Sequence, residues 1–494
     1  MHSIYFLLLL LLAALPGEPA SAQSNGRESA EPETVIISGV ATPRDHYTYR
    51  LEPFSVPAHT GRIEVDFEYT GRGDFAEIEI GLFDPHGFRG TSRFSKGSFE
   101  VGRYEATPSY FPGFMPAGEW QVSLGFPTVR QESEYRITLR LYPETSSGFI
   151  APRAQPLKSG PGWYQGDFHT HTGHSDAFGC HDTRGEHSPC QVYQVAESAH
   201  RAGLDFVAVT DHNTVSHYHD LRGLQPSFPD LLLIRGQEIT TFYGHANLYG
   251  VGLPVDFRIG YEGRNVGHIQ EESEELGGLF SINHPGRETG ARCTGCGWSA
   301  DSTDYARLEA LEIVNSTHVE TDISGIPFWH NLLNQGYRIT GIGGSDDHAA
   351  GFGNSHPGTP TTVVWAAELS EAAILDGVRS GRVYLKTDSA ETPDLSYYAD
   401  AGYETWQMGS TIYLAELPVE GPVKFHAVTL QQEGLTAEWI QNGEVVAVQQ
   451  AGEPNEEGKI TFSYIPGTRE EGWVRLNLRR NGTITVISNP IYLR

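Results

Sequence analysis

The feature that most restricts how this 494-residue chain can fold is a change of hydrophobic period along it. From 34 to 145 apolar and polar residues alternate in short runs, such as Arg62-Ile63-Glu64-Val65-Asp66-Phe67, Ala76-Glu77-Ile78-Glu79-Ile80 and Tyr135-Arg136-Ile137-Thr138-Leu139. Successive strand side chains point to opposite faces, so this period predicts an antiparallel β-sandwich, one face of each sheet buried and the other wet. From 163 to 392 the runs become continuously apolar: Phe206-Val207-Ala208-Val209, Leu231-Leu232-Leu233-Ile234, Leu279-Phe280-Ser281-Ile282, Leu311-Glu312-Ile313-Val314 and Ile339-Thr340-Gly341-Ile342. Strands buried on both faces read this way. Helices are expected between them, near 267–277, 325–336 and 370–380. A further helix before Asp205 is expected to be capped by Ser188, with Pro189 at its first position and Gly203 at its exit. Strand–helix alternation predicts a parallel sheet, here a central α/β distorted barrel of the (βα)7 type. From 393 to 494 the two-residue period returns, in Val423-Lys424-Phe425-His426-Ala427-Val428 and Trp473-Val474-Arg475-Leu476, and predicts a C-terminal immunoglobulin-like β-sandwich. Residues 145–161, rich in Ser, Pro and Gly, read as a linker.

Residues 1–22 read as a signal peptide, with an apolar core from Phe6 to Leu15 and Ala20-Ser21-Ala22 before the cut, although no Lys or Arg precedes the core. An uncleaved anchor is the alternative. The polar stretch 23–33 is expected to be disordered. Export makes the chain secreted or periplasmic, with no membrane anchor expected. The net charge of −28 repels polyanions, so no nucleic-acid partner is expected. The four cysteines, in an oxidising compartment, are expected to pair as Cys180–Cys190 and Cys293–Cys296. A four-thiolate zinc site is the rival.

Ligand-type side chains sit where the apolar strands end. His169-x-His171 places two imidazoles on one face of an extended segment, and Asp176 follows. Alone this is weak, since His217-Tyr218-His219 repeats the spacing. Yet Asp211-His212, Glu238, His284, and Asp346 with His348 also follow strands, and His245 opens the strand returning from Glu238. Isolated histidines at such places are usually structural. Five strand ends furnished alike predict a metal site for manganese, zinc or iron.

These motifs, His169-x-His171 with Asp176, Thr210-Asp211-His212-Asn213, Glu238 with His245, Asn283-His284-Pro285 and Gly344-Ser345-Asp346-Asp347-His348, resemble the polymerase-and-histidinol-phosphatase family over roughly 163–390. The flanking sandwiches and export resemble its carbaryl-hydrolase branch. The resemblance implies two or three divalent ions: one on His169, His171, Glu238 and Asp346, a second on Glu238, His245 and His284, a third on Asp176, His212 and His348. Asp211 would orient a ligand histidine. The sequence departs from the family at Ala177, where relatives often carry glycine, and in the cysteine-bearing insertion 179–190.

The expected chemistry is hydrolysis by a hydroxide shared between cations, with Glu238, Asp346 and His348 as catalytic groups. The partner is a small-molecule ester. No Gly-x-Ser-x-Gly elbow offers a serine nucleophile. Arg287 is the candidate to grip a substrate anion, with Arg292 second. A surface salt bridge is the equal alternative for Arg287, and packing is the plainer role for Tyr243 and Trp298, which could line an aryl pocket. A phosphoesterase on small phosphomonoesters or phosphodiesters is the leading reading. An aryl ester or carbamate hydrolase, a nuclease, and a non-catalytic polymer-binding module with structural metals are its rivals. The acidic surface opposes the nuclease. The spacing leaves the oligomeric state open.

Overall fold

The computed structural model describes residues 32–93, 96–107, 109–143, 156–289, 295–417, 422–467 and 470–494. The expected signal peptide, most of the polar stretch after it and most of the linker lie outside these residues.

The first alternating region forms two four-stranded antiparallel sheets. Glu33–Ala41, Ser133–Pro143, Thr60–Tyr69 and Ser98–Gly102 make one; Tyr49–Val56, Gly118–Val129, Ala76–Asp84 and Gly87–Arg93 make the other. Inward residues at every second position, including Ile63, Val65 and Phe67 against Ile80, Leu82, Trp120 and Val122, close one core.

The central region is a mixed sheet with few helices rather than an alternating (βα)7 array. Gly162–Thr170, Phe206–Val209 and Leu232–Thr240 run parallel, as do Leu279–Ile282, Ala310–Asn315 and Thr340–Gly344. Between these two groups His245–Tyr249 lies antiparallel to both neighbours. The reason is length. Only residues 241–244 separate it from the preceding strand, whereas a parallel crossover needs roughly a dozen residues. Gly244, at φ 155°, takes the turn. The far end of the sheet comes back to its first strand: Asp346 N–H donates to His169 O (2.8 Å), and His171 N–H to Asp347 O (3.0 Å).

The helices Val266–Glu275, Ile326–Asn334 and Glu371–Arg379 fall where expected. The first helix starts later than expected. It spans Val192–Arg201 behind Gln191, because Ser188 and Pro189 are held in a disulfide-closed hairpin. Gly203 leaves it at φ 76°.

The sheet does not stop at 393. Val383–Lys386 pairs with Thr483–Ser488, which pairs with Gly472–Arg480, then Leu435–Gln441 and Glu444–Gln450. A second sheet of Thr405–Gln407, Ser396–Asp400, Lys424–Leu430 and Lys459–Tyr464 faces it. The C-terminal residues Ile440, Trp473, Ile484 and Ile487 share a core with the central Ile313, Trp329, Leu333 and Leu385.

Candidate metal centre

His169 and His171 leave the end of Gly162–Thr170 on the same side, both buried. Their Nε2 atoms face each other at 3.0 Å. Two carboxylates close on the same point. Glu238 Oε2 lies 3.5 Å from both Nε2 atoms, and Asp346 Oδ1 lies 3.4 Å from that of His169 and 3.2 Å from that of His171. Glu238 also reaches outward, with Oε1 3.2 Å from His245 Nδ1 and 3.5 Å from His284 Nε2, and Oε2 2.8 Å from His212 Nδ1. On the open side Asp176 Oδ1 lies 3.6 Å from His212 Nε2 and 3.3 Å from His348 Nε2. All nine candidate ligands therefore meet in one cluster, centred on a fully buried Glu238. Asp346 (φ 53°) and His284 (φ 27°) hold left-handed backbone conformations that aim them inward, strain of the kind that concentrates at functional sites.

The charges answer one another. Burial would raise the Glu238 carboxyl, but His212, His169 and His245 hold it well below its usual range. Asp346 is likewise lowered against burial by His169 and His171. Burial and the neighbouring His348 push His171 down to about 4. His348 itself rises to about 9, since its contacts with Asp176 and Asp346 outweigh burial.

Divalent ions suit this donor set. Two imidazole nitrogens and two carboxylates converge with no lysine among them. His171 Nδ1 and Glu238 Oε2 are buried with no hydrogen-bond partner: His212 Nδ1, though near Glu238 Oε2, is bonded to Thr240 Oγ1. Four overlapping groups bring their ligand-type atoms within 4.8 Å of one another: His169–His171–Glu238, His212–Glu238–His245, His171–Asp176–His212–His348, and His169–His284–Glu312. Imidazole and carboxylate together favour zinc, manganese and iron.

The remaining candidates separate clearly. Arg287 is no remote surface bridge. Its Nη1 donates to Asp346 Oδ2 at 2.8 Å, placing a half-buried guanidinium at the cluster's edge. Arg292 lies outside the described residues. Asp211 holds the loop that directly follows the ligand His171. It accepts from Thr172 N–H, Thr172 Oγ1 and Ser175 Oγ, and lies 3.1 Å from His217 Nδ1. His217 belongs to that scaffold, its Nε2 on the carbonyls of Val209 and Gly236, so the second His-x-His is structural. Trp298 packs on Gly244 and bonds Thr303, a packing role, while Tyr243 is exposed. Cys180 and Cys190 form a disulfide, which rules out the four-thiolate site. Cys296 is also disulfide-bonded, and Cys293 lies outside the described residues. The disulfide hairpin adjoins the cluster: Gly179 N–H donates to His348 O, and Cys190 N–H to Ala177 O.

Two residues of the site are not among the candidate ligands, although Asn283 stands in the Asn283-His284-Pro285 motif. Asn283 donates to Glu238 Oε1 at 2.9 Å, and Glu312 lies against His169 Nδ1 at 3.0 Å. The signal for Glu312 is its place as a lone carboxylate inside the apolar run Leu311–Val314.

No family profile matches the chain, and no curated protein is significantly similar to it. Among solved structures it is similar to a Bifidobacterium adolescentis protein provisionally named a metal-dependent phosphoesterase, over 46% of this chain and 96% of that one, at 15% identity and TM-score 0.30. It is also similar to Bacillus licheniformis lipase BlEst2 in propeptide form, over 32% and 31%, at 14% identity and TM-score 0.14. Both likenesses are faint, neither points to the carbaryl-hydrolase branch, and the chemistry rests on the side chains above. Among the described residues no helix is long and apolar enough to cross a membrane.

Proposed function

We propose that this chain is a metal-dependent hydrolase, and within that class a phosphoesterase acting on small phosphomonoesters or phosphodiesters. One observation carries the reading: eight imidazole and carboxylate side chains gather about buried Glu238, with Arg287 at their edge. Bound manganese, zinc or iron would supply Lewis acidity to water and to the ester oxygen. His169, His171, Glu238 and Asp346 would hold one ion, Glu238 with His245 and His284 a second, and Asp176, His212 and His348 a third. Arg287 presents a guanidinium fork to an anionic substrate, its Nη1 already oriented by Asp346. With two ions bound, His348 at the open rim remains available to protonate the leaving oxygen; with three it is a ligand.

The test is metal content by mass spectrometry on the purified protein, with hydrolysis of p-nitrophenyl phosphate, bis(p-nitrophenyl) phosphate and 1-naphthyl acetate before and after chelation. Two or three ions per chain, with phosphoester turnover lost on chelation and restored by metal, is the expected result. Metal with no turnover of any of these compounds would favour a structural site, and no metal would end the reading.

A second reading, an aryl ester or carbamate hydrolase, is favoured by exposed rings on the loops leaving the cluster. Phe178 follows Asp176, Phe242 and Tyr243 follow Glu238, and Phe352 follows His348. Phe242 is 77% exposed and Phe352 65%. If these rings hold an aryl group, Phe242→Ala and Phe352→Ala will each raise KM for 1-naphthyl acetate roughly tenfold, about 1.4 kcal/mol. Glycerol phosphate kinetics should not change. Equal effects on both substrates would remove the aryl reading.

A further inference from the structure

We propose that Glu312 is a positioning carboxylate that presets His169 and His284 for cation binding. The inference rests on the metal-centre reading and adds a residue that the ligand motifs do not include. Glu312 lies in Ala310–Asn315, between the strands that lead to His284 and to Asp346, and is buried. Its Oε1 is 3.0 Å from His169 Nδ1, the ring nitrogen on the opposite side from the Nε2 that faces the cluster. Its Oε2 accepts the His284 backbone N–H at 2.8 Å and an Asn315 Nδ2 hydrogen at 3.2 Å.

Two consequences follow from carboxylate chemistry. A carboxylate has no proton to give, so it fixes the proton of neutral His169 on Nδ1 and leaves Nε2 with a bare lone pair. The same group pins the backbone of His284 at its positive φ. The fold makes room for the pair. A Cβ on Gly344 would fall 2.3 Å from His169 Cβ and 2.7 Å from Glu312 Oε1, so a side chain there would split them.

An amide cannot replace this carboxylate. Glu312→Gln has nearly the same shape but one acceptor and one donor end. If its NH2 faces His169, the imidazole must carry its proton on Nε2, inside the cluster. If its oxygen faces His169, the NH2 meets the His284 N–H, donor against donor.

The experiment is a titration of the purified full-length metal-free chain with Co²⁺, read by calorimetry and by the visible absorption of the bound ion. Expected for Glu312→Gln is a 10- to 100-fold weaker tightest site, as for other groups that orient ligands, with a changed visible spectrum. Its metal-free melting should stay cooperative. Glu312→Asp keeps the charge but cannot reach both donors, so it should lose less affinity; it carries the test if the glutamine variant does not fold. A folded Glu312→Gln chain with wild-type affinity and spectrum would overturn the proposal while leaving the metal centre standing. A wild-type chain that takes up no Co²⁺ would overturn both.

Discussion

Asp346→Ala should remove turnover while the chain stays folded. Asp346 Oδ1 lies within 3.4 Å of both His169 and His171 Nε2, and its Oδ2 orients Arg287. One substitution therefore strips the centre of a carboxylate and frees the guanidinium. We expect kcat/KM to fall by on the order of 10³-fold or more, about 4 kcal/mol of transition-state stabilisation. Metal content should drop by at least one ion per chain. His171→Ala should act similarly through loss of an imidazole that is buried at the same point. The N-terminal sandwich has its own core, so its fold should be unchanged. Full activity in either variant would sink the hydrolase reading.

The largest effect on stability is expected at Trp473. Its ring is buried where the C-terminal sheet meets the helix Ile326–Asn334, and its Nε1 donates to Asn334 Oδ1 at 2.9 Å. Trp473→Ala should cost about 3–5 kcal/mol, the range for deleting a large buried aromatic ring. Because the sheet and this core pass through the expected boundary at 393, the cost should be shared. Hydrogen exchange should rise together in the helix Ile326–Asn334 and the strand Gly472–Arg480. A rise confined to the strand would show that the C-terminal sandwich opens alone and that the shared core contributes little.

Much of the site was legible because a strand end is a local event. A run such as Phe206–Val209 ends where polar residues begin, and the ligand-type residues there, Asp211 and His212, can be named from the chain. What each then touches is a tertiary matter. Asp211 and His212 are neighbours in sequence, yet one ties down the Thr172–Ser175 loop and the other turns to Glu238. Arg287 had two equal readings because nothing within the His284-Pro285-Gly286-Arg287 turn reveals that Asp346, on another strand, lies beside it. Glu312 was hidden for the opposite reason. It reads as an irregularity in an apolar strand until His169 and the His284 backbone are placed on either side of it.

By itself the sequence determined the two-residue period of the outer regions, the buried strands between them and the kinds of ligand at their ends. These follow from side-chain chemistry and the geometry of a single strand. Only the tertiary structure decided that His245–Tyr249 turns back, that the central sheet continues into the C-terminal strands, and that His169 and Asp346, far apart in the chain, meet. Those outcomes depend on which strand edges find each other, and the hydrogen bonds along an edge are made by backbone groups that every residue carries alike.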